Sequence, residues 1–356
     1  MSHAPPRRDS LLLYCRAGFE QECAQEAGAS SVPVADAVRG SGYVDVALDG
    51  GAAARAGDDW RDWIFARQVV PYFAQLDALP RNDRLAPIMA ALAQCGEAYV
   101  DAWVEAPDTD VGKALAPFCK SFGNALIGGL KKARLLDPAA PGRLHAFFPQ
   151  SDNVYLVAAD PSSSAPWPQG IPRLKFPREA PSRSTLKLEE ALLTLLDSGE
   201  RERWLKPGMN AVDLGAAPGG WTWQLVRRSL RVTAVDNGPM DAALMQSGLV
   251  THLREDGFRF RPKKPVDWMV CDMVEQPRRI AELVARWLAD GWCRHSVFNL
   301  KLPMKKRYAE TMLCLDLISK TLAKSGRQVE LRAKQLYHDR EEITVYAQAR
   351  SRSQTS

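Results

Sequence analysis

Asp272 and Lys301 each close an apolar run, VDWMVCD and SVFNLK. Both runs read as strands in an alternating α/β pattern. Oppositely charged residues that end adjacent strands point at the same crevice. A lysine behind an apolar strand is partly desolvated, which disfavours its charged form and suits it to act as a general base near neutral pH. The competing reading is a plain salt bridge between strand ends. Cys271 sits one position before Asp272, so strand alternation turns its side chain the other way, and it reads as structural rather than as a nucleophile.

The ligand side of the crevice is written in AVDLGAAPGGWTWQ, residues 211–224. A short apolar strand runs into Gly215, Ala216, Ala217, Pro218, Gly219 and Gly220, and a helix follows from Trp221. Strand, glycine turn and helix is how the first unit of a nucleotide-binding sheet presents its backbone to a ligand. The spacing is G-x-x-P-G-G, not the G-x-G-x-x-G of a pyrophosphate cradle. Proline donates no N–H, so the turn is poorly built for phosphate. It suits S-adenosylmethionine (SAM), whose charges lie on a carboxylate, an amine and a sulfonium. Asp236 closes the next strand about 20 residues on, where an acid accepts from ribose hydroxyls. Asp256, in the EDGF turn, is placed to accept from an adenine amino group beside Phe258; a bare Asp-Gly turn is the alternative.

Two further charges are less informative alone. Lys187 in PSRSTLKLEE reads locally as a solvated helix lysine, with Ser182, Ser184 and Thr185 available to cap the helix. Glu341 and Glu342 open the last strand candidate, and alternation turns one of them inward.

The elements that must position these groups alternate regularly. Helices are expected at residues 187–196, 221–228, 239–245, 278–290 and 305–324. Strands are expected at 210–214, 231–235, 268–271, 296–300, 328–332 and 342–346. This is a mostly parallel sheet covered by helices on both faces, with ligands at the carboxyl ends of the strands. Upstream, residues 161–181 hold six prolines and three consecutive serines, a linker or extended strap. Residues 1–160 read as an α+β region. Its expected strands are 11–15, 43–47, 63–73 and 98–104, with a hairpin from 144–148 and 153–158; its expected helices are 19–27, 85–95 and 113–136. This region has no constellation of an active site.

At 356 residues the chain fits two or three domains. The net charge of +5 is uneven. Residues 1–160 carry 15 Lys and Arg against 20 Asp and Glu, and the remainder carries 32 against 22. A basic half suits a polyanionic partner. The Lys301, Lys305, Lys306 and Arg307 segment and the FRFRPKK cluster around Arg259 to Lys264 are the expected RNA contacts. No apolar run reaches the ~20 residues of a membrane span, and the start of the chain is not a signal peptide, so a cytoplasmic protein is expected. Seven scattered cysteines and five histidines lack disulfide or metal-ligand spacing, and no metal site is expected.

S-R-S-x-x-K-L, D-L-G-x-x-P-G-G-W, C-D-M, N-L-K-L-P and E-I-T-V-Y occur in this order. The set resembles the ribose 2′-O-methyltransferases that use a Lys-Asp-Lys-Glu tetrad. The strings FNLKLPMKKRY, VDNGPM, REDGF and QLYHDREE bring it close to the bacterial RlmM family, which methylates a cytidine ribose in the peptidyl-transferase region of 23S ribosomal RNA. The resemblance is strong over residues ~180–348. It implies Lys187, Asp272, Lys301 and Glu342 as the catalytic tetrad. It implies Ser184, Ala217, Pro218, Gly219, Gly220, Asp236, Asp256 and Asp272 as the SAM site. It also implies a Rossmann-like methyltransferase domain over 182–350, and a ferredoxin-like start plus a THUMP-type RNA-binding region over 1–160. The partner is then 23S rRNA before full subunit assembly, and the protein a monomer away from membranes. In the expected mechanism Lys301 is neutral at rest, its pKa lowered by Lys187, and takes the 2′-hydroxyl proton while Asp272 and Glu342 orient the lysines.

Rival readings are weaker. An amino-directed base methyltransferase needs an N/D-P-P-Y-like turn, which CDMVEQP lacks. A nicotinamide oxidoreductase is disfavoured by the proline in the glycine turn. A non-catalytic RNA-binding module does not need four matched charges.

Overall fold

The computed structural model describes residues 10–30, 34–49 and 59–351. The reading of the extreme N-terminus as not being a leader concerns residues outside that set. The chain divides between Pro172 and Arg173 into two compact units, inside the proline-rich segment.

The first unit is a seven-stranded sheet with helices. In chain order it runs β1 (Ser10–Cys15), α1 (Glu20–Ala29), β2 (Val34–Gly40), β3 (Tyr43–Leu48), β4 (Ala66–Leu76), α2 (Leu85–Cys95), β5 (Ala102–Glu105), α3 (Asp110–Ala114), α4 (Ala116–Ala133), β6 (Arg143–Gln150) and β7 (Asn153–Ala159). The strand order is β2-β3-β1-β4-β7-β6-β5. The long strand β4 is the joint: its first half pairs with β1 and its second half with β7, both antiparallel. Leu126 and Leu130 of α4 and Ile88 and Leu92 of α2 share a buried cluster with Leu144 and Leu156 of the sheet.

The long helix expected over residues 113–136 is two helices. Pro117 lies in the first turn of α4, where its missing N–H costs nothing, and marks a new start. Gly123, Gly128 and Gly129 do not interrupt α4. The unexpected strand β2 shows no clean period-2 burial, because it is an edge strand with little to bury. Residues 161–172 are a docked strap. Gln68 accepts from the Ala165 backbone N–H at 2.8 Å, Trp167 packs edge-on against Trp60, and Ile171 is buried.

The second unit runs α5 (Thr185–Leu195), α6 (Ser198–Trp204), β8 (Asn210–Leu214), α7 (Gly220–Val226), β9 (Arg231–Val235), α8 (Ala242–Met245), β10 (Val250–Leu253), β11 (Val266–Cys271), α9 (Pro277–Ala289), β12 (Cys293–Lys301), α10 (Arg307–Lys324), β13 (Arg327–Lys334) and β14 (Glu342–Ser351). The order is β10-β9-β8-β11-β12-β14-β13. Strands β8 to β12 pair in parallel, and β14 runs antiparallel to both β12 and β13. The reversal matters for chemistry. It brings the first residue of β14 to the edge where the parallel strands end, and the register pairs Lys301 with Glu342. Helix α6, missed in the sequence, carries an Asp197/Glu200 capping box. Among the described residues no helix is long and apolar enough to cross a membrane.

Candidate active site

Four strand or helix ends deliver four charges to one point. Asp272 follows β11, Lys301 ends β12, Glu342 begins β14, and Lys187 lies in the first turn of α5. Lys301 Nζ lies 2.9 Å from Asp272 Oδ1 and also bonds Glu342 Oε2. Lys187 Nζ lies 2.5 Å from Glu342 Oε1 and 3.4 Å from Asp272 Oδ2. Each carboxylate therefore bridges both lysines, and the ring has no net formal charge. The lysine side chains keep 18% and 25% exposure, so a substrate can reach them from solvent.

Electrostatics correct one expectation. Burial alone lowers the Lys301 pKa, but Asp272 and Glu342 outweigh it and push the ammonium up to about 12. Lys301 is therefore protonated in the resting protein, not neutral. Burial likewise works against Asp272, yet Lys301, Lys187 and the Ser184 hydroxyl hold its carboxyl below the usual range. The inward acid is Glu342; Glu341 turns outward and pairs with Arg307. Cys271 is fully buried, and burial pushes its thiol up to about 12, which removes it as a nucleophile.

The ligand-facing turn lies beside this ring. Gly219 starts α7 at φ 119°, and a Cβ there would come within 2.4 Å of Leu244. A Cβ on Gly220 would meet Ser182 Oγ at 2.4 Å. Asp236 faces the turn, accepting from the N–H of Ala217 at 3.1 Å and of Gly238 at 2.7 Å, one on each oxygen. Each oxygen retains a lone pair for a ligand hydroxyl. Asp256 is half exposed and accepts from Phe258 N–H at 2.8 Å. Pro218 contributes its carbonyl to Asp241 N–H. Ser184 does not cap α5; its hydroxyl donates to Asp272 Oδ2 at 2.7 Å, and its carbonyl accepts from the Trp221 indole at 3.1 Å. Asp213, buried below the turn, accepts from Thr222 at 2.6 Å. Its carboxyl is pushed up to about 7 by burial, with Asp272 and Asp236 adding to the effect. Several carboxylates gathered at one sheet edge suit a cationic ligand such as a sulfonium and repel a diphosphate, so the residues present fit SAM.

Sequence reasoning missed Asn299, whose amide donates to Asp272 Oδ1 at 2.8 Å. The signal was available: Asn299 lies two positions before Lys301 on one strand, hence on the same face. Of the expected RNA contacts, Arg261 is taken by the Phe258 and Phe260 carbonyls and stacks on Trp292, and Arg307 pairs with Glu341. Lys305, Lys306, Lys263 and Lys264 remain exposed.

Fold and site together define an FtsJ-like methyltransferase domain, and the family model of that description matches residues 180–327. Two further family models match upstream: the RlmM ferredoxin-like domain over residues 9–70, and the N-terminal domain of ribosomal RNA large subunit methyltransferase M over 83–159. The Xanthomonas campestris pv. campestris (strain B100) protein named "Ribosomal RNA large subunit methyltransferase M" is 56% identical over 95% of this chain and 98% of its own. That of Xanthomonas oryzae pv. oryzae (strain PXO99A) is 55% identical over the same shares. The chain belongs to the ribosomal RNA large subunit methyltransferase M family. Among solved structures, TrmN from Thermus thermophilus is similar at 18% identity, covering 95% of this chain and 99% of that one. The TM-score of that match is 0.35.

Proposed function

We propose that the protein methylates the 2′-hydroxyl of a ribose in 23S ribosomal RNA, with SAM as donor. The observation that carries this is the ring of Lys187, Asp272, Lys301 and Glu342 beside the glycine turn. A ribose hydroxyl is a poor nucleophile until its proton leaves, and an amine at the entrance of a polar crevice can take that proton.

Ala217, Pro218, Gly219 and Gly220 hold the donor along the turn. Asp236 accepts from its ribose, Asp256 from its adenine, and Ser184 and Asp272 border the transfer point. SAM, when bound, supplies an electrophilic methyl group on a positively charged sulfur. Lys301 is the general base. Because it is an ammonium at rest, it must first release a proton to water. The neighbouring Lys187 and a cationic ligand at this edge both disfavour its charge and favour that loss. Neutral Lys301 then accepts the 2′-hydroxyl proton while Asp272 and Glu342 hold it in line. Such assistance is worth about 10²–10⁴-fold.

The finer reading is a cytidine of the peptidyl-transferase region, met before subunit assembly is complete, by a cytoplasmic monomer. Residues 1–160 act as a THUMP-type RNA-binding region and 182–350 as the methyltransferase domain. The acidic balance of 1–160 argues for recognition by shape rather than by charge alone. Mapping 2′-O-methyl sites in ribosomal RNA from cells with and without the protein tests the reading. One cytidine should lose its methyl group; an unchanged map overturns it.

A further inference from the structure

We propose that Met304 and Val274 are the two sides of an apolar clasp for the nucleobase of the target nucleotide, a role that rests on the ribose-methylation reading of the site. The clasp holds the base out of its stack, so that the attached ribose meets Lys301.

Exposed apolar side chains scattered singly need no explanation. These two are not scattered. Among the described residues Met304 and Val274 are the most exposed large apolar side chains, at 92% and 89%, and the next, Val111, reaches 62%. Val274 lies two positions past Asp272, and Met304 three past Lys301. Strands β11 and β12, which lead to those charges, are parallel neighbours, so both loops leave the same sheet edge side by side. Beyond the loops, Arg278 in the first turn of α9 donates to both carboxylate oxygens of Glu310 in the first turn of α10, each at 2.8 Å. The two loops are therefore held together at both ends.

Each loop is anchored on its inner side and offers its apolar residue to solvent. Met273 packs on the ligand turn: a Cβ on Gly215 would come within 2.5 Å of its Cγ, and a Cβ on Gly257 within 3.0 Å of its Sδ. Val274, next in the chain, stands in solvent. In the other loop Leu302 is buried, and its N–H donates to the Glu341 carbonyl at 2.7 Å. Arg307 pairs with the Glu341 carboxylate. One residue thus ties down both feet of the arch 303–306. Lys306 closes the arch at φ 59°, in the left-handed region that an L side chain enters at a cost. Met304 stands on this arch with the exposed Lys305 and Lys306 beside it.

The occupant follows from the chemistry at the ring. The 2′-carbon is bonded to the carbon that carries the base, so a ribose hydroxyl at Lys301 puts its base at the rim of the same crevice. A base stacked in a helix does not reach there. Enzymes that act on single nucleotides hold the extruded base between apolar or aromatic side chains. The face of a base is apolar, and a flexible thioether can follow it. Lys305 and Lys306 suit the neighbouring phosphates. Lysines are depleted where proteins meet one another, so this pair favours RNA over a protein as the occupant.

The test uses the full chain and a synthetic RNA spanning the ribose found by methyl mapping, made with its base present or absent. On intact RNA, Met304→Ser should lower kcat/KM for RNA about tenfold, and Met304→Ser combined with Val274→Ser about 10²-fold, with the SAM KM and thermal unfolding unchanged. Met304→Leu, which keeps the apolar surface, should stay within about threefold of wild type. On RNA lacking the target base the clasp has nothing to hold, and the same serine substitutions should cost no more than about twofold. A cytidine analogue that fluoresces when unstacked, placed at the target, should brighten on binding wild type and stay dim with the double variant. Serine variants as fast as wild type on intact RNA, or equally impaired with and without the base, or an analogue that brightens with the double variant, overturn the clasp alone. A wild type that methylates no ribose of 23S ribosomal RNA overturns the reading of the site, and the clasp with it.

Discussion

Glu105 in the first unit and Glu342 in the second are both carboxylates at a strand end, 3% and 4% exposed. Glu105 accepts from the Tyr14 hydroxyl at 3.2 Å and from the Gln169 backbone N–H, and lies 3.1 Å from His145 Nδ1. Tyr14 and His145 are themselves buried, and with Gln169 they tie β1, β5, β6 and the strap into one body. Burial, with Glu105 adding to it, raises the Tyr14 pKa well above its ordinary value, so the phenol stays a donor. Glu342 instead meets two ammonium groups that reach solvent. A carboxylate sealed among side chains and backbone groups of its own core stabilises a fold. A carboxylate whose partners are solvent-reaching ammonium groups at a crevice can orient a base. Access and charge matching, rather than burial, separate structural from chemical clusters here.

Breaking the second cluster should have the largest effect. Glu342→Gln leaves both lysines without a second anion and should cut the single-turnover methylation rate by about 10²–10³-fold. Glu105→Gln is the matched control. It should cost about 1–3 kcal/mol in denaturant-induced unfolding while leaving the methylation rate unchanged. A large rate loss in Glu105→Gln would erase the distinction between the two clusters.

Asp213 sharpens the comparison, since it is sealed like Glu105 yet lies beneath the ligand turn. Its folded pKa of about 7 exceeds the carboxylate value of the unfolded chain. The folded protein therefore holds the proton more tightly. Stability falls as pH rises from about 4 to about 7 and then levels off. Asp213→Asn removes this dependence, so its stability relative to wild type should rise by about 1–3 kcal/mol across that window. Parallel pH profiles for the two proteins in thermal unfolding would contradict the assignment. The smallest effect belongs to the exposed lysines. Lys305→Ala should weaken RNA binding a few-fold and flatten its salt dependence by about one unit of slope.

The second unit was largely legible in the sequence because its parallel strands are buried on both faces and read as apolar runs. VDWMVCD and SVFNLK announce their own ends with Asp272 and Lys301. The edge strands β2 and β10 were not legible, because strands with few neighbours carry weak patterning. The ring was legible as members but not as a charge state. Spacing placed Lys301 behind an apolar strand, which argues for a lowered pKa, but only three-dimensional contact with two carboxylates reverses the sign. The choice between Glu341 and Glu342 needed the register of β12 against β14.

In the proposed reaction Lys301 activates a ribose hydroxyl. Its most direct test is transfer of a labelled methyl group from SAM to 23S ribosomal RNA, followed by alkaline hydrolysis. Wild type should leave the label in an alkali-resistant dinucleotide, since a 2′-O-methyl group blocks cleavage. Lys301→Ala should still bind SAM but transfer at least about 10²-fold more slowly. Label released in mononucleotides, or a Lys301→Ala protein that methylates at the wild-type rate, would contradict it.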